Sequence, residues 1–311
     1  TRLTDSGLSI TEWQLFTGII PPFNSTHWNH YFDLYKKIPE YKLQNYEMSL
    51  YEFKTIFWWE YIHRFLGRLI GILFLFPLIF LFIKLGFNNV KNLILIFLLI
   101  CFQGFIGWYM VSSGLVERVD VSHFRLSLHL ILAFIILSLI FWNYLKFIKI
   151  NIAFVKIKLK LPFIFLILLY LQIIIGAFVS GLDAGQIYNS WPFMGNNLFP
   201  DDSNYKDLFY LSTFSEPSLV QFIHRNLAYL ILGLYLFILF NVYKNRLSIY
   251  YKTIILLGFF LLLQILLGIL TLLSGAQIVL ASMHQISSIF LVSTSIYLLY
   301  LNSYTNLQPS N

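Results

Sequence analysis

The sequence predicts an all-α integral membrane protein made of two pseudo-symmetric four-helix bundles. Only 11% of its 311 residues are charged and 58% are hydrophobic, whereas about a quarter of a soluble domain is charged. Seven apolar runs are each close to the roughly 20 residues that cross a bilayer as a helix. The two halves also share an internal repeat, which predicts an eighth, N-terminal helix that is absent from this sequence.

The seven predicted spans are separated by polar loops. Their apolar runs are too continuous for the strands of a membrane barrel, which alternate over roughly ten residues. They cover residues 56–83, 92–112, 122–145, 161–181, 217–243, 253–273 and 278–301. Residues 1–55 are polar and mixed, but their aromatic residues favour a packed outer loop over a disordered one. These aromatic residues are Trp13, Phe23, Trp28, Tyr31, Phe32 and Tyr35.

Basic residues indicate the orientation of the chain. Three loops hold ten Lys or Arg and no Asp or Glu, namely 84–91, 146–160 and 244–252. The positive-inside rule assigns such loops to the cytoplasm or the mitochondrial matrix. The loops 1–55, 113–121 and 183–216 then lie on the outer face. This distribution explains the formal charge of +7 without a nucleic-acid partner, and the single cysteine, Cys101, offers no disulfide framework.

Ionisable residues inside the first apolar run provide the main functional signal. Residues 60–68 have the sequence EYIHRFLGR, and residues 221–229 repeat this frame as QFIHRNLAY. The equivalent histidines, His63 and His224, are 224 − 63 = 161 residues apart. Ionisable side chains within a membrane span are costly, so they indicate a functional site.

Further matches extend the repeat over both halves of the chain. Gln103, Gly107 and Ser113-Gly114 match Gln264, Gly268 and Ser274-Gly275 at the same offset, His129 matches His284 at 155, and Asp5 to Trp13 match Asp183 to Trp191 at 178. In the second half the last of these motifs follows a span, so we expect a span before Thr1. We predict an N-terminal half, 1–150, and a C-terminal half, 151–311, related by an axis along the membrane normal.

Four of the seven histidines lie at a similar depth, six to nine residues inside the outer end of a predicted span: His63, His129, His224 and His284. At about 1.5 Å per residue this is about 10 Å. Each half holds two of them, and two facing imidazoles suit six-coordinate haem iron. Hydrogen bonding between helices is the alternative for any one of them, and zinc or copper would need further ligands. The other three suit exposed or helix-capping positions: His27, His30 and His123.

Three arginines lie near these histidines in sequence. Arg64 and Arg225 directly follow two of them, and Arg125 lies four residues before a third. Guanidinium groups bind carboxylates in a bidentate manner, so we predict that these arginines hold haem propionates. The alternative is that each side chain extends to the lipid headgroups.

The repeat changes at one position beside the histidines. Glu60 in the first half is equivalent to Gln221 in the second, since 221 − 60 = 161. Glu60 precedes His63 by three residues and shares its helix face, so we predict that the first pair performs chemistry with Glu60 as an acid/base or proton-relay group. The second pair then binds a haem that passes electrons. The alternative for Glu60 is an ion pair with Arg64 or Arg68.

Across nearly its whole length the sequence resembles the haem A synthase family. The resemblance rests on residues 1–9, Pro21-Pro22, Phe53-Lys54, residues 60–64, residues 107–111, Arg125-Leu126, His129-Leu130, residues 181–185, residues 188–192, His224-Arg225 and His284-Gln285. The chain has no cysteine pair in an outer loop, which places it with the alphaproteobacterial and mitochondrial class.

This resemblance implies a reaction, a cofactor and partners. A porphyrin methyl group of haem O is oxidised to a formyl group, giving haem A for cytochrome c oxidase. The substrate haem would lie between His63 and His129, haem b with its iron between His224 and His284, and Glu60 would be required for activity. The implied partners are haem O synthase, cytochrome c oxidase assembly factors and an electron donor such as a ferredoxin; homo-oligomerisation stays open.

The implied location is the bacterial plasma membrane or the mitochondrial inner membrane, with both haem sites near the periplasmic or intermembrane-space face. Two other classes of protein compete with this interpretation. A non-enzymatic dihaem b-type cytochrome would hold two permanent haems, usually at two depths. A transporter with a structural repeat would have broken helices and polar groups at the midplane.

Overall fold

The computed structural model describes residues 1–14, 17–116, 119–148, 156–157 and 160–303. Within them, nine α-helices follow one another: α1 Ser25–Tyr35, α2 Pro39–Leu43, α3 Leu50–Leu85, α4 Phe87–Gly114, α5 His123–Phe147, α6 Leu161–Gly181, α7 Pro217–Lys244, α8 Tyr251–Leu273 and α9 Ile278–Ser303. Helices α3 to α9 are long and apolar enough to cross a membrane. The predicted all-α membrane fold and its seven spans are therefore confirmed.

Helix α3 begins six residues before the predicted first span, because a capping box defines its first turn. The Ser49 hydroxyl accepts from the Glu52 backbone N–H, and the Glu52 carboxylate accepts from the Ser49 N–H. These bonds satisfy two backbone donors that a helix start leaves unpaired. Only four residues of this 36-residue helix are buried, namely Phe53, Phe57, Glu60 and Leu78.

Residues 1–133 and 134–311 form two compact units, and the functional division at residue 150 stays a prediction. In the second unit, α6 packs against α7 and α9, and α8 packs against the same two helices. Helices α7 and α9 are therefore diagonal neighbours in a four-helix bundle. Bundles of this kind build cofactor sites from side chains on facing helices.

The segment that precedes α3 was predicted to lie on the outer face, and we call it the outer segment of the first unit. It is packed, as its aromatic residues predicted. Trp28, Phe32 and Tyr35 are buried in a cluster with Phe53 and Phe57 of α3. Phe23 was wrongly counted with this packed group, since 76% of its surface is exposed. The packed part of the segment includes Leu8 and Ile10 before α1 as well as α1 itself.

A buried acid lies within this packed segment. Glu40 is 5% exposed and accepts a hydrogen bond from the Tyr35 hydroxyl at 2.7 Å, and Asn45 donates to the same hydroxyl oxygen at 2.9 Å. Burial raises the pKa of the Glu40 carboxyl to about 7, against the lowering effect of the Tyr35 bond. The folded state therefore favours the protonated acid.

We expect this raised pKa to make the stability of the segment pH-dependent. The stabilisation that comes from the protonated Glu40 carboxyl is complete below its pKa in the unfolded state, about 4.5, and is lost as pH rises through about 7. The free energy of unfolding falls by at most about 3 kcal/mol. The neutral variant Glu40→Gln should lack this loss, so its melting temperature should change less between pH 5 and pH 8 than that of the wild type. Glu47→Gln, at an exposed position, is the control. Parallel pH profiles for wild type and Glu40→Gln would contradict the prediction.

Candidate functional site

The four candidate histidines lie on four different membrane helices. His129, His224 and His284 follow the first residues of α5, α7 and α9 by 129 − 123 = 6, 224 − 217 = 7 and 284 − 278 = 6 residues. His63 lies 63 − 50 = 13 residues into α3, because that helix starts earlier than predicted. The other three histidines do not share this setting: His27 and His30 are exposed, and His123 is buried at the first residue of α5.

The imidazoles of the first unit face each other. The ring centroids of His63 and His129 are 6.3 Å apart, with an angle of 66° between the ring planes. A metal–imidazole bond is about 2 Å long, so two imidazoles on opposite sides of one metal have nitrogens about 4 Å apart and ring centres about 6 Å apart. The observed separation suits two axial ligands of one iron.

The second unit places its histidines on diagonal helices. His224 on α7 and His284 on α9 are both half-buried. A side-chain contact to a ring nitrogen comes from Gln172, whose Nε2 lies 3.3 Å from Nε2 of His224. Side chains on facing helices of a bundle can share one cofactor in its interior.

The ring nitrogens of these histidines show which atom could meet a metal. Nδ1 of His129, His224 and His284 is buried without a hydrogen-bond partner among the described residues. Because Nδ1 is enclosed by protein, Nε2 is the ring nitrogen that would bind iron. In the described part of the chain, no three His, Cys, Asp or Glu side chains cluster as a metal site. Two imidazoles per site are the donor set that haem iron takes.

Glu60, near His63 in sequence, is buried, and both of its carboxylate oxygens accept hydrogen bonds. Its Oε2 accepts from the Ser9 hydroxyl and from the Ile10 backbone N–H, both at 2.7 Å. Its Oε1 pairs with Arg64, at 2.6 Å from Nη2 and 3.1 Å from Nε. The structure thus contains the ion pair with Arg64 that was the alternative interpretation of Glu60, whereas Arg68 donates to the carbonyl of Gln14. The acid/base role of Glu60 stays a prediction.

Arg64 ties the outer segment to α3. Besides Glu60, it donates to the carbonyl of Ile10 at 2.8 Å and to that of Glu12 at 3.3 Å. Its guanidinium also lies 4.8 Å from the ring centre of Trp13, a cation–π contact. We call the contacts of Glu60 and Arg64 with residues 9–13 the first clamp.

The second unit contains an equivalent clamp, formed by Gln221 and Arg225. Arg225 donates to the carbonyl of Tyr188 at 2.9 Å and to that of Ser190 at 3.0 Å. These carbonyls correspond to those of Ile10 and Glu12 at the predicted offset, since 188 − 10 = 178 and 190 − 12 = 178. The repeat therefore extends to individual hydrogen bonds.

The two clamps differ in the polarity of one residue. Glu60 accepts hydrogen bonds from the outer segment, whereas the Gln221 amide donates to the carbonyls of Ala184 at 2.9 Å and Tyr188 at 3.3 Å. Asp5 and Asp183, which open the two segments, share a left-handed backbone with φ of 42° and 50°. The two segments thus begin with similar turns. Of the two clamps, only the first has N–H and O–H groups that donate hydrogen bonds to an acid.

All three arginines predicted to hold propionates have protein partners. Arg125 donates to the Ser113 hydroxyl at 2.5 Å and lies 4.8 Å from the ring centre of Tyr109. Arg225 keeps one buried nitrogen, Nε, without a partner in the described residues. The propionate role of Arg64, Arg125 and Arg225 stays a prediction.

Two groups of residues escaped the sequence interpretation. The first is Ser9 with the backbone N–H of Ile10, for which the shared motif at offset 178 was the available signal. The second is a set of three glutamines, whose side-chain amides donate to the backbone carbonyls of candidate histidines. The bonds are Gln103 to His129 at 2.9 Å, Gln172 to His224 at 3.0 Å and Gln264 to His284 at 2.8 Å.

Comparisons with known proteins give one consistent result. Residues 1–296 match the model of the COX15-CtaA family, described as cytochrome oxidase assembly protein. The chain is 52% identical over 305 residues to haem A synthase of Pelagibacter ubique, covering 97% of this chain and 90% of the relative. It is 45% identical to that of Rickettsia bellii strain RML369-C, covering 96% and 90%, and 40% identical to that of Flavobacterium johnsoniae, covering 96% and 91%. No solved structure matches the chain.

Proposed function

Because the chain belongs to the cytochrome oxidase assembly protein family, we propose that its two histidine pairs serve two parts of one activity, the oxidation of haem O to haem A. The chain is a membrane oxidoreductase of haem biosynthesis, in line with relatives named haem A synthase at 40–52% identity over nearly its full length. The division of that activity between the two pairs rests on the change from Glu60 in the first unit to Gln221 in the second. The 6.3 Å separation of the His63 and His129 ring centres is the observation that carries the binding of one haem iron by the first pair.

The first pair binds the substrate. His63 and His129 hold the iron of haem O and thereby orient the porphyrin plane between α3 and α5. Glu60 shares a helix face with His63 and is buried, so the first site has a carboxylate close to its ligand. Holding the substrate in one orientation is the main contribution that binding makes to a selective oxidation.

Glu60 serves proton exchange in this site. Two hydroxylations of the porphyrin methyl carbon give R–CH(OH)₂, which loses water to give the aldehyde R–CHO. In that loss one hydroxyl gives up a proton and the other leaves as water after gaining one. The Glu60 carboxylate takes the proton from one hydroxyl and gives it to the other. The Ser9 hydroxyl, which donates a hydrogen bond to Oε2, carries an exchangeable proton next to this carboxylate. General acid–base catalysis of this kind contributes about 10²–10⁴-fold.

The second pair binds haem b as a resident cofactor. His224 and His284 would hold haem b, which would supply one-electron redox chemistry when it is bound. Gln221 is neutral where the first unit has an acid, so this unit orients its outer segment without a group that exchanges protons. Arg64, Arg125 and Arg225 support propionates through the donors that their protein partners leave free.

The location and partners follow from charge and chemistry. The basic loops between helices indicate a cytoplasmic or matrix side, which assigns both histidine pairs to the periplasmic or intermembrane-space half of an inner membrane. The substrate is a lipid-like haem, so haem O synthase is the expected supplier and cytochrome c oxidase assembly factors the expected receivers. Each hydroxylation would take one oxygen atom from an oxidant such as O₂ and reduce the other to water, and an electron donor such as a ferredoxin would supply the two electrons.

Extraction of the bound haems from the purified protein tests this function. We expect haem b together with haem O or haem A, separated by chromatography, because the two pairs bind different porphyrins. His63→Ala should lose haem O and haem A but keep haem b, and the exposed-site variant His30→Ala is the control. Haem b alone at two per chain would instead support a dihaem cytochrome that transfers electrons.

A further inference from the structure

Three of the four candidate histidines rest against a glycine on the neighbouring helix. A Cβ added to any of these glycines would lie only 3.0–3.1 Å from the histidine Cε1 atom. The pairs are Gly107 with His129, Gly176 with His224 and Gly268 with His284. In each pair Cε1 is nearest, Nδ1 follows at 3.5–3.7 Å and Nε2 lies farthest at 3.7–4.0 Å. The three rings therefore present the same edge to the glycine.

A glutamine lies four residues before each of these glycines and binds the same histidine. Residues four apart lie on one face of a helix. The side-chain amide donates to the histidine backbone carbonyl at 2.8–3.0 Å in all three cases. Each Gln-x-x-x-Gly unit thus contacts one histidine twice, at its backbone and at its ring.

The two contacts restrict different movements of the ligand. The glutamine bond fixes the rotation and height of the histidine-bearing helix relative to its neighbour. The bare glycine lets the imidazole edge lie against the helix backbone, and this contact limits rotation of the ring. The orientation of a metal-bound histidine is normally set by a hydrogen bond to its second nitrogen, and here Nδ1 has no such partner in the described residues.

We propose that the Gln-x-x-x-Gly units are positioning elements that set the ring orientation of the haem-ligating histidines. This inference rests on the proposed function, since it assumes that the imidazoles bind haem iron. The units concerned are Gln103 with Gly107, Gln172 with Gly176, and Gln264 with Gly268.

Close contact is not a general property of glycines in these helices, although Gly114 and Gly258 also meet a side chain closely, Leu8 and Tyr235 respectively. Gly67, Gly71, Gly104 and Gly233 lie in the same kind of membrane helix, and a Cβ at any of them would meet nothing within 4 Å. Glycine is therefore not placed in these helices only for close approach. Gly104 lies beside Gln103 on α4, which makes the contrast with Gly107 direct.

The units also differ in how firmly the glutamine is held. The Oε1 atom of Gln264 accepts from the Ser287 hydroxyl, whereas Oε1 of Gln103 and of Gln172 is buried without a partner in the described residues. We expect the Gln264 unit to be the most rigid.

The test uses the resident haem of the full-length purified protein. Gly176→Ala and Gly268→Ala should each retain haem b but shift the g values of its ferric low-spin electron paramagnetic resonance signal, because the added methyl group turns one imidazole. Gln172→Leu adds no bulk beside the ring but removes the hydrogen bond to the His224 carbonyl, so it should shift the same signal. This variant tests the positioning role if the alanine variants do not fold. Gly233→Ala is the matched control and should leave the signal unchanged.

Two results separate this inference from the proposed function. If His224→Ala retains the wild-type low-spin signal, that haem is not bound by His224 and the proposed function fails. If His224→Ala loses the signal while Gly176→Ala, Gly268→Ala and Gln172→Leu all keep the wild-type g values, the haem site stands and the positioning role is overturned. A lower melting temperature with unchanged g values counts as packing alone.

Discussion

Glu60→Gln should stop haem A formation while both histidine pairs still bind haem. In the wild type, Oε2 accepts from Ser9 and Ile10 and Oε1 faces the Arg64 guanidinium. A glutamine can accept at one position only, and its NH₂ group would meet either the Ile10 N–H or Arg64. The variant loses both the exchangeable proton and half of the acceptors, so we expect a loss of about 10²–10⁴-fold in haem A formation.

A second variant separates proton exchange from positioning. Ser9→Ala removes one donor to Glu60 but leaves the carboxylate, the Ile10 bond and the Arg64 ion pair. If Glu60 exchanges protons, Ser9→Ala should cost far less activity than Glu60→Gln; if Glu60 only holds the outer segment, the two losses should be similar. Haem A yield per bound haem is the measurement, and Glu47→Gln at an exposed outer position is the control. Normal turnover by Glu60→Gln would remove Glu60 from the mechanism.

The membrane fold was predictable because hydrophobic length and charge placement are properties of the sequence alone. Six of the seven spans begin within about five residues of their predicted starts, an ordinary margin for boundaries. The exception is α3, whose start depends on the capping box of Ser49 and Glu52 and on the burial of Phe53. Such local bonds leave only a weak signal in the sequence, whereas a run of twenty apolar residues is a strong signal.

The candidate site was predictable where the repeat duplicated it. His63 and His224 stand at one offset, and the Glu60-to-Gln221 change is visible as a break in that register. Apart from the Glu60–Arg64 ion pair, the partners of Arg64 and Arg225 were not visible, because most of them are backbone carbonyls, which carry no residue identity. The outer segments could be matched to each other by sequence, but their contact with α3 and α7 required the fold.

The glutamine and glycine units show what residue type alone leaves open. Small residues at helix interfaces usually serve packing, and Gly107 fits that description until its neighbour is known. The structure identifies the neighbour as the His129 ring. A residue that is ordinary by composition can thus acquire a role from the side chain it faces.

His224→Ala should abolish the b-type haem spectrum of the purified protein. His224 supplies one of two imidazoles in the second unit, and the described ring contacts offer only the Gln172 amide, at 3.3 Å, which is a poor iron ligand. Removing a mere supporting residue of a metal site typically costs about 10–100-fold in affinity, so loss of the ligand itself should cost more.

The same variant distinguishes the two histidine pairs. Haem O should still bind between His63 and His129, whose 6.3 Å ring separation does not depend on His224, yet haem A should not form, because the resident electron carrier is missing. His30→Ala should leave both haems and the activity unchanged, since that side chain is exposed in the outer segment. A wild-type spectrum from His224→Ala would move the resident haem to another ligand pair and, with it, end the assignment of substrate and cofactor to separate halves of the chain.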